Sequence, residues 1–403
     1  MNIKIISPAD LSIEDMQAWR SICASSERYQ SPYFSPEFFQ IVGAARDDVR
    51  LVLAHNEAGE AIGFFPVQVS GVGLPLARPV GAPFADYNGP VLRSGYEHIA
   101  ADMLAQAGGA VYTFSGIPVL GVDCLSEVEG EEDTYNLVDI QLCDPVLLKT
   151  GLNVRGQMPA FIADLSPGFE TYLESRRSTF PRHFKNCRRL WRKTEKEAGP
   201  LQLTFHEPSI EALETLIGWK QEQYERTGLH NVLSAKWARD MLRGCFEMQT
   251  PEFAGVMTTL RCDGKLMAAE FGLRSGSLLH GWISGYNTEY HSYSPGMLLQ
   301  KSLLEAAANA GILTADMGVG AEHYKKYYAS RMVPVCNGVI PATGVKGAMR
   351  GIGGEVWHQL ERAPLGPVSG FAGKLRRRLD VILSVERSFE GRKQGLKRAF
   401  KRV

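Results

Sequence analysis

The stretch Ser292 to Tyr328, SYSPGMLLQKSLLEAAANAGILTADMGVGAEHYKKYY, decides how this chain is read. Ser294-Pro295-Gly296 is turn chemistry leading into a helix, expected over about Pro295 to Ala310 and stopped near Gly311. A short strand follows, Leu313 to Met317, with Asp316 at its carboxyl end, then a glycine-spaced loop and a helix start studded with Tyr and Lys. A helix N-terminus beside the end of a strand can hold an anion and do chemistry next to it. The arrangement points to group transfer from a phosphate-bearing donor.

Upstream of this stretch, Phe161 to Asp164 reads as a strand and Phe169 to Ala198 as one long basic helix stopped by Gly199-Pro200. A strand at Leu201 to His206 and helices at Ser209 to Thr227 and Ser234 to Glu247 come next. Three strands follow, Gly255 to Cys262, Lys265 to Arg274 and Ser277 to Ser284, the first two joined by the hairpin signal Asp263-Gly264. The chain before residue 155 repeats the same order less completely. It has a strand at Asn2 to Ile6, helices at Leu11 to Ser25 and Pro36 to Ala45, strands at Arg50 to Ala54 and Ala61 to Ser70, a helix at Tyr96 to Gly108 and a strand at Val111 to Phe114. The expectation is an α/β protein of two similar units, residues 1–155 and 156–345, followed by a linker and a basic helical tail, residues 346–403.

Composition bounds the rest. A chain of 403 residues with 44% hydrophobic content can fill two cores. Net charge is zero, yet from Lys374 onward eleven Lys/Arg face three acidic residues. The seven cysteines are dispersed and form no CxxC pair, so no zinc ribbon or redox motif is expected, and the set fits a reducing cytosol. The N-terminal stretch MNIKIISPADLSIEDMQ is not expected to be a signal peptide, and no apolar run is long enough to span a bilayer. These features lead to the expectation of a cytoplasmic protein, with peripheral contact at the inner membrane or with a synthase complex carried by the basic tail.

Several residues stand out. Glu270 lies in the strand MAAEFGLR among apolar neighbours, where burial raises a carboxylate toward a general-base range. His280 and His291 are further base candidates, ranked below Glu270 because a lone His is more often structural. Asp86-Tyr87-Asn88-Gly89-Pro90 is strong turn chemistry whose side chains can also hydrogen-bond an acceptor. The basic run Arg176, Arg177, Arg182, Lys185, Arg188, Arg189, Arg192, Lys193 and Lys196 reads as a solvated face or as a docking surface for phosphates. Overall neutrality and the lack of an RNA-binding motif argue against nucleic acid as the main partner.

Together YHSYSPGMLLQKSLLEAAANAG at 290–311, DMGVGAEHYKKYYAS at 316–330, the basic run at 175–199 and DYNGPVL at 86–92 resemble GCN5-related N-acetyltransferases (GNAT). More narrowly, they resemble the CelD-type acetyltransferases associated with polysaccharide biosynthesis, relatives of the Fem-type aminoacyltransferases. The resemblance implies two tandem GNAT-like domains, the first on the acceptor side and the second binding donor. It implies acetyl-CoA as co-substrate, no metal, and a small-molecule or sugar acceptor. Ser294, Pro295, Gly296 and Met297 are then the donor-binding turn, and Asp316, Lys325, Tyr324 and Glu270 the catalytic set. Asp86, Tyr87 and Asn88 fall on the acceptor side, and Tyr327 and Tyr328 join Tyr324 as acids for the departing thiolate. Two alternatives stay open: a Fem-type transferase using aminoacyl-tRNA, and a non-catalytic binding protein of the same fold.

Overall fold

Asp263 and Gly264 both take positive φ, 49° and 77°, the geometry of a two-residue hairpin turn, and they join two long antiparallel strands of the second half. In the computed structural model, which describes residues 1–70, 75–121, 138–320, 323–349, 376 and 378–400, the hairpin belongs to one large mixed sheet. Its strands are β1 (Asn2–Ile6), β2 (Val49–His55), β3 (Ala61–Ser70), β4 (Leu76–Arg78), β5 (Val91–Leu92), β6 (Val111–Pro118) and β7 (Asn153–Asp164). Then come β8 (Leu201–Thr204), β9 (Ala254–Cys262), β10 (Lys265–Ser275), β11 (Leu278–Tyr286), β12 (Thr314–Val319) and β13 (Arg331–Pro341). Their order is β1-β2-β3-β4-β6-β13-β7-β12-β11-β10-β9-β8, with β5 paired to β3.

The sequence reading expected two units but not the strand that joins them. β13 lies between β6 and β7 and pairs antiparallel with both, so the end of the second half completes the sheet of the first. The boundary expected after residue 155 falls inside β7, a twelve-residue strand of which only the last four were read as extended. Of the linker expected at 345–373, residues 350–373 lie outside the described residues.

The helices named for the described residues are α1 (Ile13–Ala24), α2 (Pro36–Ala45), α3 (Ala100–Gln106), α4 (Ile140–Cys143), α5 (Pro145–Leu148), α6 (Phe169–Thr179), α7 (Pro181–Glu197), α8 (Ile210–Thr227), α9 (Lys236–Glu247), α10 (Pro295–Asn309), α11 (Lys325–Tyr328) and, in the tail, α12 (Phe389–Phe400). Serine caps set three of the starts: Ser12 accepts from Asp15 N–H, Ser35 from Phe38 N–H and Ser209 from Ala212 N–H. The long basic helix expected at 169–198 is two helices. Pro181 has no N–H to give the preceding turn and pushes Phe180 out of helical geometry (φ −126°, ψ 57°), so α6 ends and α7 begins there.

Helices α1, α2, α8 and α9 share one core, in which Trp19, Phe38 and Phe39 meet Leu216, Trp237, Met241 and Phe271. Both halves contribute to this cluster, so it fixes them together as well as filling them. α6 and α10 pack on a second core with Phe161, Leu303, Tyr328 and Met332. Each fully buried large apolar side chain contributes about 1.5–3 kcal/mol. The basic tail is docked at its start. Ile382 and Val385 are buried, Trp237 Nε1 donates to Val385 O at 2.9 Å, and Arg46 Nη1 donates to Ser384 O at 3.1 Å. Six cysteines are free thiols; Cys124 lies outside the described residues.

Candidate active site

Strands β11 and β12 run parallel and pair only at Leu278–Thr314, Leu279–Ala315 and His280–Asp316. Beyond that point they part. β12 is irregular in register between Asp316 and Val319, and Gly318 (φ 79°) takes a conformation that a side chain disfavours. Gly281 and Gly318 follow closely on the last paired residues. A Cβ on Gly281 would stand 2.7 Å from Glu270 Oε1, and one on Gly318 would stand 2.7 Å from Asp86 Oδ2. Glycine on both sides therefore leaves room for two carboxylates at the parting of the strands.

The gap opens on a cavity of about 360 Å³ lined by Asp86, Glu270, Asp316 and Lys325. A larger one, about 1580 Å³, shares Lys220, Gln223, Glu270, Ser284, Gln300 and Tyr324 with it and extends to Gly296, Met297, His183 and Arg182. Glu270 lines both. It is 7% exposed, and burial raises its carboxyl to about 7, with His280 and Lys325 holding it from going higher.

His280 is the centre of a buried charge cluster. Nε2 is 3.1 Å from Asp86 Oδ2, and Nδ1 is 3.3 Å from Asp316 Oδ2, an ion-pair contact off the line of a straight hydrogen bond. Burial pulls the imidazole down, but Asp316 and Asp86 more than reverse this and bring it up to about 9, so it is a cation at neutral pH. Asp316 is likewise pushed up by burial but held low by His280, by Tyr87 and by the Gly318 N–H at 2.8 Å. Tyr33 stands edge-on to the His280 ring at 5.0 Å and Tyr87 at 5.6 Å, walling it from water. Lys325, also buried, donates to Val319 O at 3.2 Å and approaches Gly318 O at 3.4 Å. Its ammonium thereby sits on the backbone where β12 is irregular in register.

At the donor end Ser294 is left-handed (φ 54°, ψ 58°) and supplies no side-chain cap. Its carbonyl takes the N–H groups of Met297 and Leu298. Gly296 and Met297 line the larger cavity, and nothing stands within 4 Å of where a Gly296 Cβ would be. Ser294 and Pro295 do not line it; they shape the turn from behind. Tyr324, 39% exposed, lines both cavities. Tyr327 stacks on His183 at 4.0 Å. The Tyr328 hydroxyl is 3.0 Å from His183 Nε2 and donates to Met297 O at 3.4 Å. Burial and His323 lower His183 to about 4, so it is neutral.

The structure thus brings together Asp86, Tyr87, Glu270, Asp316, Tyr324 and Lys325. Asn88 is not among them. Its side chain donates to Ala85 O and Ser115 Oγ and accepts from Ser115 N–H, closing the turn on β6. The His291 ring meets Tyr286 at the surface. His280, whose two carboxylate partners come from distant segments, holds a more central place than its sequence neighbours suggest, and His183 and Tyr33 join the site with no sequence signal. From the basic run only Arg182 reaches the larger cavity; Arg177, Arg188 and Arg192 line a separate groove of about 290 Å³.

Residues 181–326 match the acetyltransferase (GNAT) domain family. No curated protein matches the chain. Among solved structures, FemX superposes with a TM-score of 0.56 at 11% identity over 87% of this chain and 99% of its own. A tandem GNAT protein from the clavulanic acid biosynthesis pathway (TM-score 0.47, 10% identity, 85% of this chain and 100% of that one) is also similar. So is the C-terminal domain of a putative lysylphosphatidylglycerol synthetase from Agrobacterium fabrum (TM-score 0.47, 12% identity, 85% and 96%). Residues 181–326 thus carry the match to the acetyltransferase (GNAT) domain family, inside a fold that the whole chain shares with FemX.

Proposed function

We propose that this protein transfers an acetyl group from acetyl-CoA to an amine or hydroxyl of a sugar or surface-polysaccharide precursor, as the CelD-type resemblance implies. The observation that supports this reading is the parting of β11 and β12 directly above Glu270, beside the first turn of α10. Free strand edges suit the amides of a pantetheine arm. The Gly296 N–H, with Arg182, Arg226 and Lys326 on the same cavity wall, suits its phosphates.

In this reading the acceptor occupies the smaller cavity. Glu270, with a proton affinity near neutrality, takes the proton from the attacking group. Tyr324, at the junction of the two cavities, is placed to protonate the departing thiolate. Tyr328 is committed to His183 and Met297, and Tyr327 is stacked. Asp316 and His280 form the buried electrostatic floor, and Lys325 favours the ionised form of Glu270. No helix among the described residues is long and apolar enough to cross a membrane. Action in the cytoplasm, with the tail near a membrane or synthase, remains part of this proposal.

Calorimetric titration with acetyl-CoA tests it: micromolar binding and thiol release in the presence of an amino sugar are expected, and absence of binding overturns it. The fold shared with FemX and the basic wall at Arg182 favour one rival, an aminoacyl-tRNA donor. Binding of tRNA without binding of acetyl-CoA would decide for that rival. Binding of neither would leave a non-catalytic protein.

A further inference from the structure

The smaller cavity sits at the meeting of the two halves, and the first half sends one charged side chain into it. Asp86, in the loop after β4, reaches across to β11 and lines the cavity with Glu270 and Asp316. Only its Oδ2 is used, on His280; Oδ1 has no hydrogen bond among the described residues, and the side chain keeps 35% of its exposure. Glu270 is more than nine-tenths buried and its carboxylate makes no hydrogen bond to any described residue, yet it faces both cavities. Two carboxylates with free oxygens therefore face one small polar space, while the cations nearest them are occupied. His280 is held between Asp86 and Asp316, and Lys325 by the Val319 carbonyl. Lys220 also lines the space and is shared with the larger cavity.

We infer that Asp86, delivered by the first half and held in place by His280, selects the acceptor, and that the acceptor is a small polar molecule carrying a protonated primary amine. This rests on the acyl-transfer reading above. An ammonium entering the cavity pairs with the free Asp86 oxygen and gives one proton to Glu270. The neutral amine then attacks the thioester carbonyl, so that the C–N bond forms and the C–S bond breaks. A second nitrogen proton is passed on as the thiolate is protonated, and the proton on Glu270 returns to water. The products are an amide and a free thiol, and no other reactant is needed. A hydroxyl acceptor brings no charge for Asp86 to hold. His280 acts as a positioning residue: fully buried and paired on both sides, it keeps Asp86 aimed at the gap.

The test uses the full-length chain with acetyl-CoA, comparing glucosamine with glucose as probes and following thiol release. Wild type is expected to turn over glucosamine and not glucose. Asp86→Asn should raise KM for the amine by about 10-fold or more, as expected for loss of a charge-assisted contact. It should lower kcat far less and leave the acetyl-CoA affinity of the protein unchanged. His280→Gln should move KM in the same direction, and Asp86→Glu should recover part of the loss. Equal use of glucose, no use of glucosamine, or an unchanged KM in Asp86→Asn would overturn the assignment of Asp86 while leaving donor binding intact. Failure of the wild type to bind acetyl-CoA would instead remove the acyl-transfer reading, and this inference with it.

Discussion

A carboxylate at position 270 costs the fold something, and the sign of that cost is open to measurement. Burial lifts the folded carboxyl from its ordinary 4.5 to about 7, so the folded state binds the proton more tightly than the unfolded chain. The penalty is nearly absent below pH 4.5, grows as pH rises, and is complete above about 7. Glu270→Gln should therefore raise stability at pH 8, by roughly 1–3 kcal/mol, and hardly change it at pH 4.5, as read by urea unfolding at the two pH values. The same substitution should cut turnover by roughly 10²–10⁴ and erase the acidic limb that wild-type kcat/KM is expected to show near pH 7. A stability gain without a loss of activity would leave Glu270 as a structural residue only. Gly281→Ala tests the space beside it: its methyl would stand 2.7 Å from Glu270 Oε1, so the carboxylate must swing away. Turnover should fall while thermal stability changes little, because the atom that yields is the end of a flexible side chain. Glu270 and Asp316 were legible because a lone acid among apolar strand residues, or at a strand's carboxyl end, needs a reason to be there. His280 was not, because Asp86 lies 194 positions away in sequence and only the fold brings it near. Asn88 was misread for a related reason, since its partner Ser115 belongs to another strand.

At the scale of elements, the start of α10 shows how local chemistry builds a binding feature. Pro295 takes the first helical position, where its missing N–H costs nothing. Ser294 turns the chain into left-handed geometry, which a non-glycine residue adopts at a cost of about 1–2 kcal/mol. It supplies no side-chain cap in return, and Gly296 in the first turn lines the larger cavity. Ser294→Gly should thus be neutral or stabilising by a few tenths of a kcal/mol or more, with acetyl-CoA affinity retained. Ser294→Val, a β-branched residue ill suited to positive φ, should lower the melting temperature and weaken acetyl-CoA binding together. Equal behaviour of the two variants would mean that the turn geometry does not matter to the donor site. Element types here were readable from apolar periodicity and caps: α2, β3 and α10 fall within a residue of expectation. The single long basic helix was misjudged because Pro181 sits inside a continuous charged pattern, where its missing N–H outweighed the pattern.

At the scale of the whole molecule, two units are visible in the order of elements, but their joining is not. β13 begins just past the Tyr/Lys segment and crosses into the first half, where Cys336, Ile340 and Ala342 complete a core with Tyr112, Phe114 and Ile117. Its alternation is interrupted by Pro334, Asn337 and Gly338, which hides a strand of eleven residues from a reading based on pattern alone. The first half therefore lacks a central strand until the chain is nearly finished, and neither half closes its sheet alone. With the shared core of α2 and α9 added, the physical expectation is one cooperative unit despite the repeated order of elements. Calorimetry of the full chain should show a single transition. Ile340→Ala, which empties a fully buried site in the first half's core, should shift that transition as a whole by the equivalent of about 2–5 kcal/mol. A fragment ending at residue 150 should expose the β6 edge and associate or remain partly unfolded, and supplying residues 151–403 as a separate chain should restore a soluble complex. Two resolved transitions, or a monomeric and fully folded fragment, would show that β13 is an ornament on two independent domains. One transition would mean that the carboxylate sent by the first half and the strand returned by the second are parts of the same fold, so that the site exists only when both halves are closed on each other.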